Sequence, residues 1–457
     1  MDLIMKIIIK YYWMSAILFL QLGCAAFLEE KPDRSLALAD GLKELQAILD
    51  YEVGMNQNYP AAGDIASPYF YLTEADWSAR TEITREIYSW NEKADNSQDW
   101  HNAYTRIFYA NVVLDQIDDV ALKGRREQDR AAIKGSALFF RGWNFFQLSQ
   151  IYTPPYMEDG DGQWGIPLRL GADINIVTER STISETFNQI VSDLTYASQT
   201  LPEQTVVPTR PSRAAAYAAL SIVYLSLDDF LIAEKYADSC LMLQSDLIDY
   251  NFVDGSMVNP FPIFNEEVIF HATMFGTSQV FYRNRAKITE ELFDSYDEAD
   301  LRRTVFYVEQ ADGSFTFKGD YSGSSTSGLP FCGMATDEIY LIKAECAARL
   351  QKNEIALTYL NEFMRKRYDS AVFEVFNSND ALEILDKTIS ERRKQLAFRG
   401  GVSWRDLRRL NREERYRQTL VREIGDDRYT LEPNGKRYAF LIPVSVVQMS
   451  GIRQNER

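Results

Sequence analysis

Apolar residues recur at helical spacing over most of this chain. Asp40 to Asp50 sets Leu42, Leu45 and Leu49 on one face and predicts a helix. Trp100, Tyr104, Phe108 and Val112 mark a second helix. Ile133 to Ile151 predicts a third, with Ala137, Phe140, Asn144 and Leu148 near one stripe, and Pro154 and Pro155 end it. Thr182 and Glu185 form a capping-box pattern for a helix running to about Thr200, before Pro202. Ser212 caps the next one. Between the first two helices, Val53 to Thr81 shows no such period and reads as a long, aromatic-rich loop.

The pattern then repeats. "YAALSIVYLSLDDFLIAEKYADSCL" from Tyr217 aligns with "YLIKAECAARLQKNEIALTYLNEFM" from Tyr340, matching Tyr217 to Tyr340, Leu227 to Leu350, Ala233 to Ala356 and Tyr236 to Tyr359. Each copy reads as helix, short polar turn, helix. Small Ala at the crossing lets the helices approach, and Tyr and Leu fill the groove between neighbours. This is tetratricopeptide-like logic, in which each hairpin needs a neighbour to bury its face. The helices at Ile133–Ile151 and Thr182–Thr200 are expected to form a third hairpin. The chain is thus expected to be mainly α, a tetratricopeptide-like bundle of helical hairpins with an irregular, loop-rich lobe (about 244–333) and minor β-hairpins. One hairpin is expected around Asp312-Gly313 in "TVFYVEQADGSFTFKGDY", and "SGSSTSG" after it reads as a loop. Near the end, Gly400 and Gly401 stop one helix, and Ser403 with Asp406 reads as the cap of the next. "RYAFLIPVSVV" reads as an extended segment broken at Pro443, then a turn.

The amino terminus changes the picture of where the protein works. Met1 to Lys10 is short and basic, and Tyr11 to Leu20 is apolar with the length of a signal peptide. Met5, at "MKIIIK", is an alternative start. Leu20, Leu22 and Gly23 before Cys24 read as a lipobox, with Gln21 where Leu is usual. Residues 1–23 are expected to be a lipoprotein signal and Cys24 the lipidated first residue, whose acyl chains suffice for stable membrane attachment. Residues 24–227 and 228–457 are expected to form an amino-terminal and a carboxy-terminal region. The Pro32-bearing segment from about Ala25 to Ala39 is expected to be a tether. Lys and Arg number 49 against 66 Asp and Glu, a net charge of −17. Removal of Asp2, Lys6 and Lys10 makes it one unit more negative, which argues against a nucleic-acid partner. With Cys24 lipidated, Cys240, Cys332 and Cys346 remain, too few for a disulfide framework; Cys240 and Cys346 read as buried apolar residues.

These pieces together resemble the SusD/RagB family of surface-exposed outer-membrane lipoproteins of Bacteroidetes. The resemblance rests on the order of "CAAFLEEKPDRSL", "W…Y…I…AN…LD" from Trp100 to Asp115, "KGSALFFRGWNFFQL", "GIPLRL", "RSTISETFNQIVSDLTYASQTLP", "RPSRAAAYAAL", "DEIYLIKAECAARL", "ERRKQLAFRGGVSWRDLRRL" and "FLIPVSVV". Two departures stand out. Arg399 replaces the acidic residue expected after "LAF", and "LIPV" stands for "PIP". The chain is also short for the family, which implies trimmed loops on the binding face. The resemblance implies a nutrient-binding protein and no enzyme. It would catch an oligosaccharide, or in some members a peptide, and pass it to a SusC-like TonB-dependent β-barrel transporter as its lid. Glu29 and Glu30 weakly resemble the acidic signal for display on the outer face.

The residues agree with binding rather than catalysis. There is no Gly-x-Ser-x-Gly elbow and no glycine-rich phosphate loop, and His101 and His271 are the only histidines. No catalytic residue, metal or cofactor is expected, although a pair of carboxylates for glycoside hydrolysis would be spatial and invisible here. Sugar binding uses flat aromatic faces against pyranose C–H groups, with amides, carboxylates and Arg on the hydroxyls. Trp100, Trp143 and Trp404 lie in helical patterns and read as core. Trp77 and Trp90, with Tyr71 near, lie in a polar, loop-rich stretch, and Tyr282, Arg283 and Tyr296 in the irregular lobe. These are the candidate ligand residues, with Asp76, Arg80 and Asn91 as polar neighbours. The basic run from Arg392 to Leu410 is expected to pair with carboxylates of adjacent hairpins. A peptide-binding member, a secreted glycan hydrolase on a helical scaffold and a pure assembly scaffold are the rival readings.

Overall fold

The computed structural model describes residues 39–156, 163–274, 280–282, 284–324 and 329–457. Cys24, the tether up to residue 38, Arg283 and residues 325–328 of the serine-rich loop lie outside them. The chain is mainly helical, as its pattern predicts. The longer helices are α1 (Leu42–Leu49), α2 (Ser97–Leu114), α3 (Glu127–Tyr152), α4 (Ile183–Thr200), α5 (Arg213–Ser226), α6 (Phe230–Leu241), α7 (Thr336–Arg349), α8 (Asn353–Arg365), α9 (Ala381–Leu396), α10 (Val402–Leu410) and α11 (Val444–Ser450). From α2 to α8 each packs on the next, and α9 packs on α7. The stack is therefore a series of hairpins that bury one another's faces, with α3 and α4 forming the third expected pair.

The internal repeat is visible atom by atom. Tyr217 and Tyr236 stack at 6.0 Å between ring centres, and their counterparts Tyr340 and Tyr359 meet at 5.6 Å. Ala233 and Ala356 are fully buried at the crossings. Each hairpin turns through a residue of left-handed backbone at the matching position, Asp228 (φ 61°) and Gln351 (φ 58°). Helix α3 is buried all round from Gly135 to Tyr152, because α2 and α4 cover both its sides. The capping box at Thr182 and Glu185 forms, with Glu185 N–H donating to Thr182 Oγ1 at 3.1 Å and Thr182 N–H to Glu185 Oε2 at 2.8 Å.

Three local expectations are corrected. Val53 to Thr81 holds three short helices, Glu52–Met55, Ala62–Ile65 and Glu74–Ser78, instead of one loop. Polar side chains of α2 substitute for missing regular bonds there. Asp99 accepts from Ala61 and Ala62 N–H at 3.0 and 2.9 Å, and Arg106 donates to Gln57 O at 2.9 Å with its guanidinium 4.1 Å from the Tyr59 ring centre. The cap of α10 is Gly401 (φ 76°) rather than Ser403, whose hydroxyl instead donates to Ala397 O at 2.8 Å. Asp406 is occupied by Arg392 and Arg409. After Pro443 the chain forms α11, not a turn.

The irregular lobe has its own aromatic core, including Tyr250, Phe261, Tyr296, Phe306 and Tyr321. Its hairpin closes at Asp312-Gly313, with Gly313 at φ 79° and Tyr307, Val308 and Glu309 paired to Phe317, Thr316 and Phe315. That hairpin continues into a four-stranded sheet through Lys287–Ile288 to Phe70–Tyr71. The sheet ties the lobe to the segment before α2.

Candidate ligand-binding site

The edge of this sheet brings together two segments far apart in sequence. Phe70 pairs with Ile288 and Tyr71 with Lys287. Alternation along the strand buries Phe70 and leaves Tyr71 exposed. Thr73 then caps the Glu74–Ser78 helix, accepting from Asp76 N–H at 3.1 Å and donating to Asp76 Oδ2 at 2.7 Å. Arg80 Nε returns to Asp76 O at 2.9 Å, and Arg85 donates to Arg80 O at 2.8 Å. The Arg85 guanidinium lies 5.7 Å from the ring centre of half-buried Trp77. Burial lowers the Arg80 pKa, and the nearby charge of Arg285 adds to this. Arg285 in turn lies 5.1 Å from the ring centre of Tyr282. Two groups thus face each other here, Trp77 with Arg85 and Arg80, and Tyr282 with Arg285, the charge of Arg285 being felt at Arg80.

Tyr282 also lines a cleft between lobe and bundle. Phe70, Phe281, Phe317 and Phe398 wall it, and Asp64, Ser67 and Asp320 supply its polar atoms. Both Asp64 oxygens accept from Gly401 N–H at 2.9 Å. Burial pushes the Asp64 carboxyl up to about 7, against the pull of that N–H and of Arg405. Burial also raises Asp320, which accepts from Ser322 N–H at 2.6 Å and Phe331 N–H at 3.1 Å. The buried Ser67 hydroxyl has no hydrogen-bond partner among the described residues. The cleft measures about 30 Å³, room for a water-sized molecule.

The structure therefore groups Asp76, Trp77 and Arg80 on one short helix and its flank, with Tyr71 exposed on the neighbouring sheet edge and Tyr282 near through the charge of Arg285. It places Trp90 and Tyr296 elsewhere. Trp90 is 1% exposed, its indole N–H donates to Ala66 O at 2.9 Å, and Arg422 lies 4.6 Å from its ring. Tyr296 is equally buried, with its hydroxyl 2.7 Å from both Tyr307 Oη and Lys394 O. Both are packing residues, since their faces and polar atoms are already taken. Asn91 is exposed, and its Oδ1 accepts from Lys93 N–H at 2.8 Å. Arg283 lies outside the described residues. Asp64, Ser67, Arg285 and the cleft phenylalanines escape sequence reading; only the hairpin signal at Asp312-Gly313 hints that Phe317 meets this edge. Trp100, Trp143 and Trp404 are buried as expected. His101 is exposed, and His271 sits between Phe264 and Phe331, its pKa pushed down to about 4 by burial. Among the described residues no group of His, Cys, Asp and Glu could hold a metal ion, and no helix is long and apolar enough to cross a membrane.

Comparison with known proteins decides the family. Residues 26–225 match a SusD-like family model described as starch-binding and associating with the outer membrane, and residues 281–444 match the model of the SusD family. The chain belongs to the SusD family. A SusD-like protein P2 from Formosa agariphila is 23% identical, over 88% of this chain and 90% of that one. A SusD superfamily protein from Bacteroides thetaiotaomicron superposes with a TM-score of 0.74 at 20% identity, covering 91% of this chain and 100% of the other. A structure titled a putative sugar binding protein, from Bacteroides vulgatus, gives 0.74 at 19% identity, over 91% and 98%. One titled a SusD-like carbohydrate binding protein, from the same species, gives 0.70 at 20%, over 90% and 97%. The hairpin stack and the overlying lobe are thus the SusD fold.

Proposed function

We propose that this SusD-family protein is a cell-surface lipoprotein that captures an oligosaccharide and hands it to a partner SusC-like TonB-dependent transporter, without chemistry of its own. One observation carries the ligand part. Aromatic and arginine side chains from two distant segments converge at the sheet edge beside an aromatic cleft, where ring faces meet C–H groups and guanidinium groups meet hydroxyls. Two structural relatives from Bacteroides vulgatus, one described as a sugar binding protein and one as a carbohydrate binding protein, support the same ligand class. Cys24 would carry the lipid, and the segment to about Ala39 would let the body swing away from the barrel. The ligand residues are Tyr71, Asp76, Trp77, Arg80 and Tyr282, with Arg283 adjoining in sequence. The test is a binding screen of the purified mature chain against glycan and peptide panels, with product analysis of each mixture. Saturable glycan binding without turnover, weakened by Trp77→Ala and Tyr282→Ala, is the expected result. Binding only to peptides, cleavage of a bound glycan, or variants that bind like wild type would each overturn a stated part of the reading.

A further inference from the structure

A second and much larger concavity, of about 630 Å³, shares no residue with the aromatic cleft. It lies between the strand Trp164–Pro167, the chain after α10 and the carboxy-terminal residues. Its lining inverts the charge of the molecule. Among the described residues, Arg180, Arg412, Arg417, Lys436 and Arg453 face two carboxylates, Asp228 and Glu456, in a chain where acids outnumber bases 66 to 49.

Those two carboxylates are already engaged, Asp228 with Arg412 at 2.8 Å and Glu456 with Lys436 at 2.6 Å. Arg180 and Arg417 have no carboxylate partner among the described residues. Arg180 is only 7% exposed and is pinned by the carbonyls of Trp164, Gly165 and Arg453 and by Asn455 Oδ1, at 2.8 to 3.0 Å. Arg417 is held by the carbonyls of Asn411 and Arg412 at 3.0 and 3.4 Å. Neutral carbonyls orient a guanidinium but leave its charge uncompensated, which is costly for the buried Arg180, while Arg417 presents its charge at the exposed rim. At the rim Trp164 is 41% exposed, and Gln163 and Asn434 add amides. Fixed cations, an open indole and amide groups in one groove suit a ligand that is at once anionic and sugar-like.

We propose that this groove is a second binding site, for an oligosaccharide bearing carboxylate or sulfate groups, with Trp164 against a ring face and the arginines supplying counter-charge. The proposal stands apart from the cleft at Tyr282, and its test separates the two.

Isothermal titration of the mature chain would use an oligogalacturonate, a sulfated galacto-oligosaccharide, a neutral galacto-oligosaccharide of matched length and an oligoglutamate peptide. At least one anionic sugar is expected to bind, to weaken as salt rises from about 50 to 300 mM, and to outcompete the neutral one. Lys436→Glu with Arg453→Glu is expected to weaken it about tenfold. Those side chains are 68% and 64% exposed, so the fold should survive reversal. Trp164→Ala should weaken it comparably, and Tyr282→Ala should leave it unchanged. The uronate and sulfate arms identify which group is read. Failure of both anionic sugars, indifference to charge reversal, loss on Tyr282→Ala, or binding of oligoglutamate alone would each overturn the proposal.

Discussion

Arg399, in the turn after α9, holds Asp337 at the start of α7 through guanidinium–carboxylate bonds of 2.8 and 3.1 Å, both side chains buried. The same guanidinium lies 4.5 Å from the Tyr321 ring centre and 5.1 Å from that of Phe331 in the lobe. One residue thus joins the hairpin stack, the lobe and the turn that presents Gly401 to Asp64. Burial pushes the Asp337 carboxyl up, but the Arg399 charge and its hydrogen bonds outweigh that, and the group ends below its ordinary value.

Arg399→Ala should therefore destabilise strongly, by about 3–5 kcal/mol, because it strands a buried carboxylate. Urea unfolding would read this. The double change with Asp337→Ala should cost less than the sum of the singles, since the second removes the orphaned charge. The sign for pH follows. A depressed carboxyl stabilises above its unfolded value and loses that contribution as pH falls through the folded one. Wild type should therefore lose stability towards acid relative to the double variant.

Asp64 carries the opposite sign. Its folded value of about 7, against an ordinary 3.8, means that the folded state holds a proton the unfolded state releases in between. This group's contribution falls as pH rises from about 4 to 7, by an amount of order 4 kcal/mol at most. Asp64→Asn keeps an acceptor for Gly401 N–H and removes the titration. Melting curves should show the variant more stable than wild type at pH 8 and closer to it at pH 4. Equal differences at both would show that Asp64 does not titrate there.

The two aromatic groups separate by readout. Tyr282→Ala should weaken glycan binding about tenfold with little change in melting temperature, as expected for an aromatic anchor at a binding surface. Trp90→Ala should instead destabilise by about 3–5 kcal/mol, because a fully buried indole is removed. Binding and thermal melts on the same preparations decide both.

The contrast shows what was legible in the chain. Helices with a sustained period, their caps at Thr182 and Ser212, and the repeat at Tyr217 and Tyr340 are local signals, and each appears where its pattern puts it. The basic run resolves as expected: Arg392 and Arg405 share Glu338, and Arg409 pairs with Glu345, all across α7. The site was harder. Trp77 and Trp90 sit in the same polar stretch, yet only Trp90 is swallowed, because Arg422 arrives from a strand over three hundred residues later and covers its ring. No local pattern carries that information. The short helices near Asp99 escaped for the same reason, since their order depends on side chains of α2.

The hairpin turns offer a matched pair. Gln351 and Asp228 both hold left-handed backbone, which costs a side-chain-bearing residue about 1–2 kcal/mol relative to glycine. Gln351→Gly should relieve this and stabilise by about 1 kcal/mol, part of the gain being offset by glycine's greater unfolded freedom. Asp228→Gly should gain less, because it also removes the partner of Arg412. Chemical denaturation of the two variants tests the order, and equal gains would mean that the Arg412 contact contributes nothing.

Attachment is the last point that a single substitution settles. The two family matches cover residues 26–225 and 281–444, and the first carries an outer-membrane description, yet no described helix is long and apolar enough to cross a bilayer. A lipid on Cys24, as proposed, would supply an anchor without one, since several acyl chains give stable binding where one gives only a reversible hold. Gln21 departs from the usual lipobox Leu, so the sulfur itself is the discriminating atom. In bacterial membranes, wild type should partition into the detergent phase and Cys24→Ala into the aqueous phase, with ligand affinity unchanged. Retention of the variant in the detergent phase would move the anchor to the uncleaved apolar run Tyr11–Leu20, and intact mass spectrometry of the purified chain would then show residues 1–23 still attached.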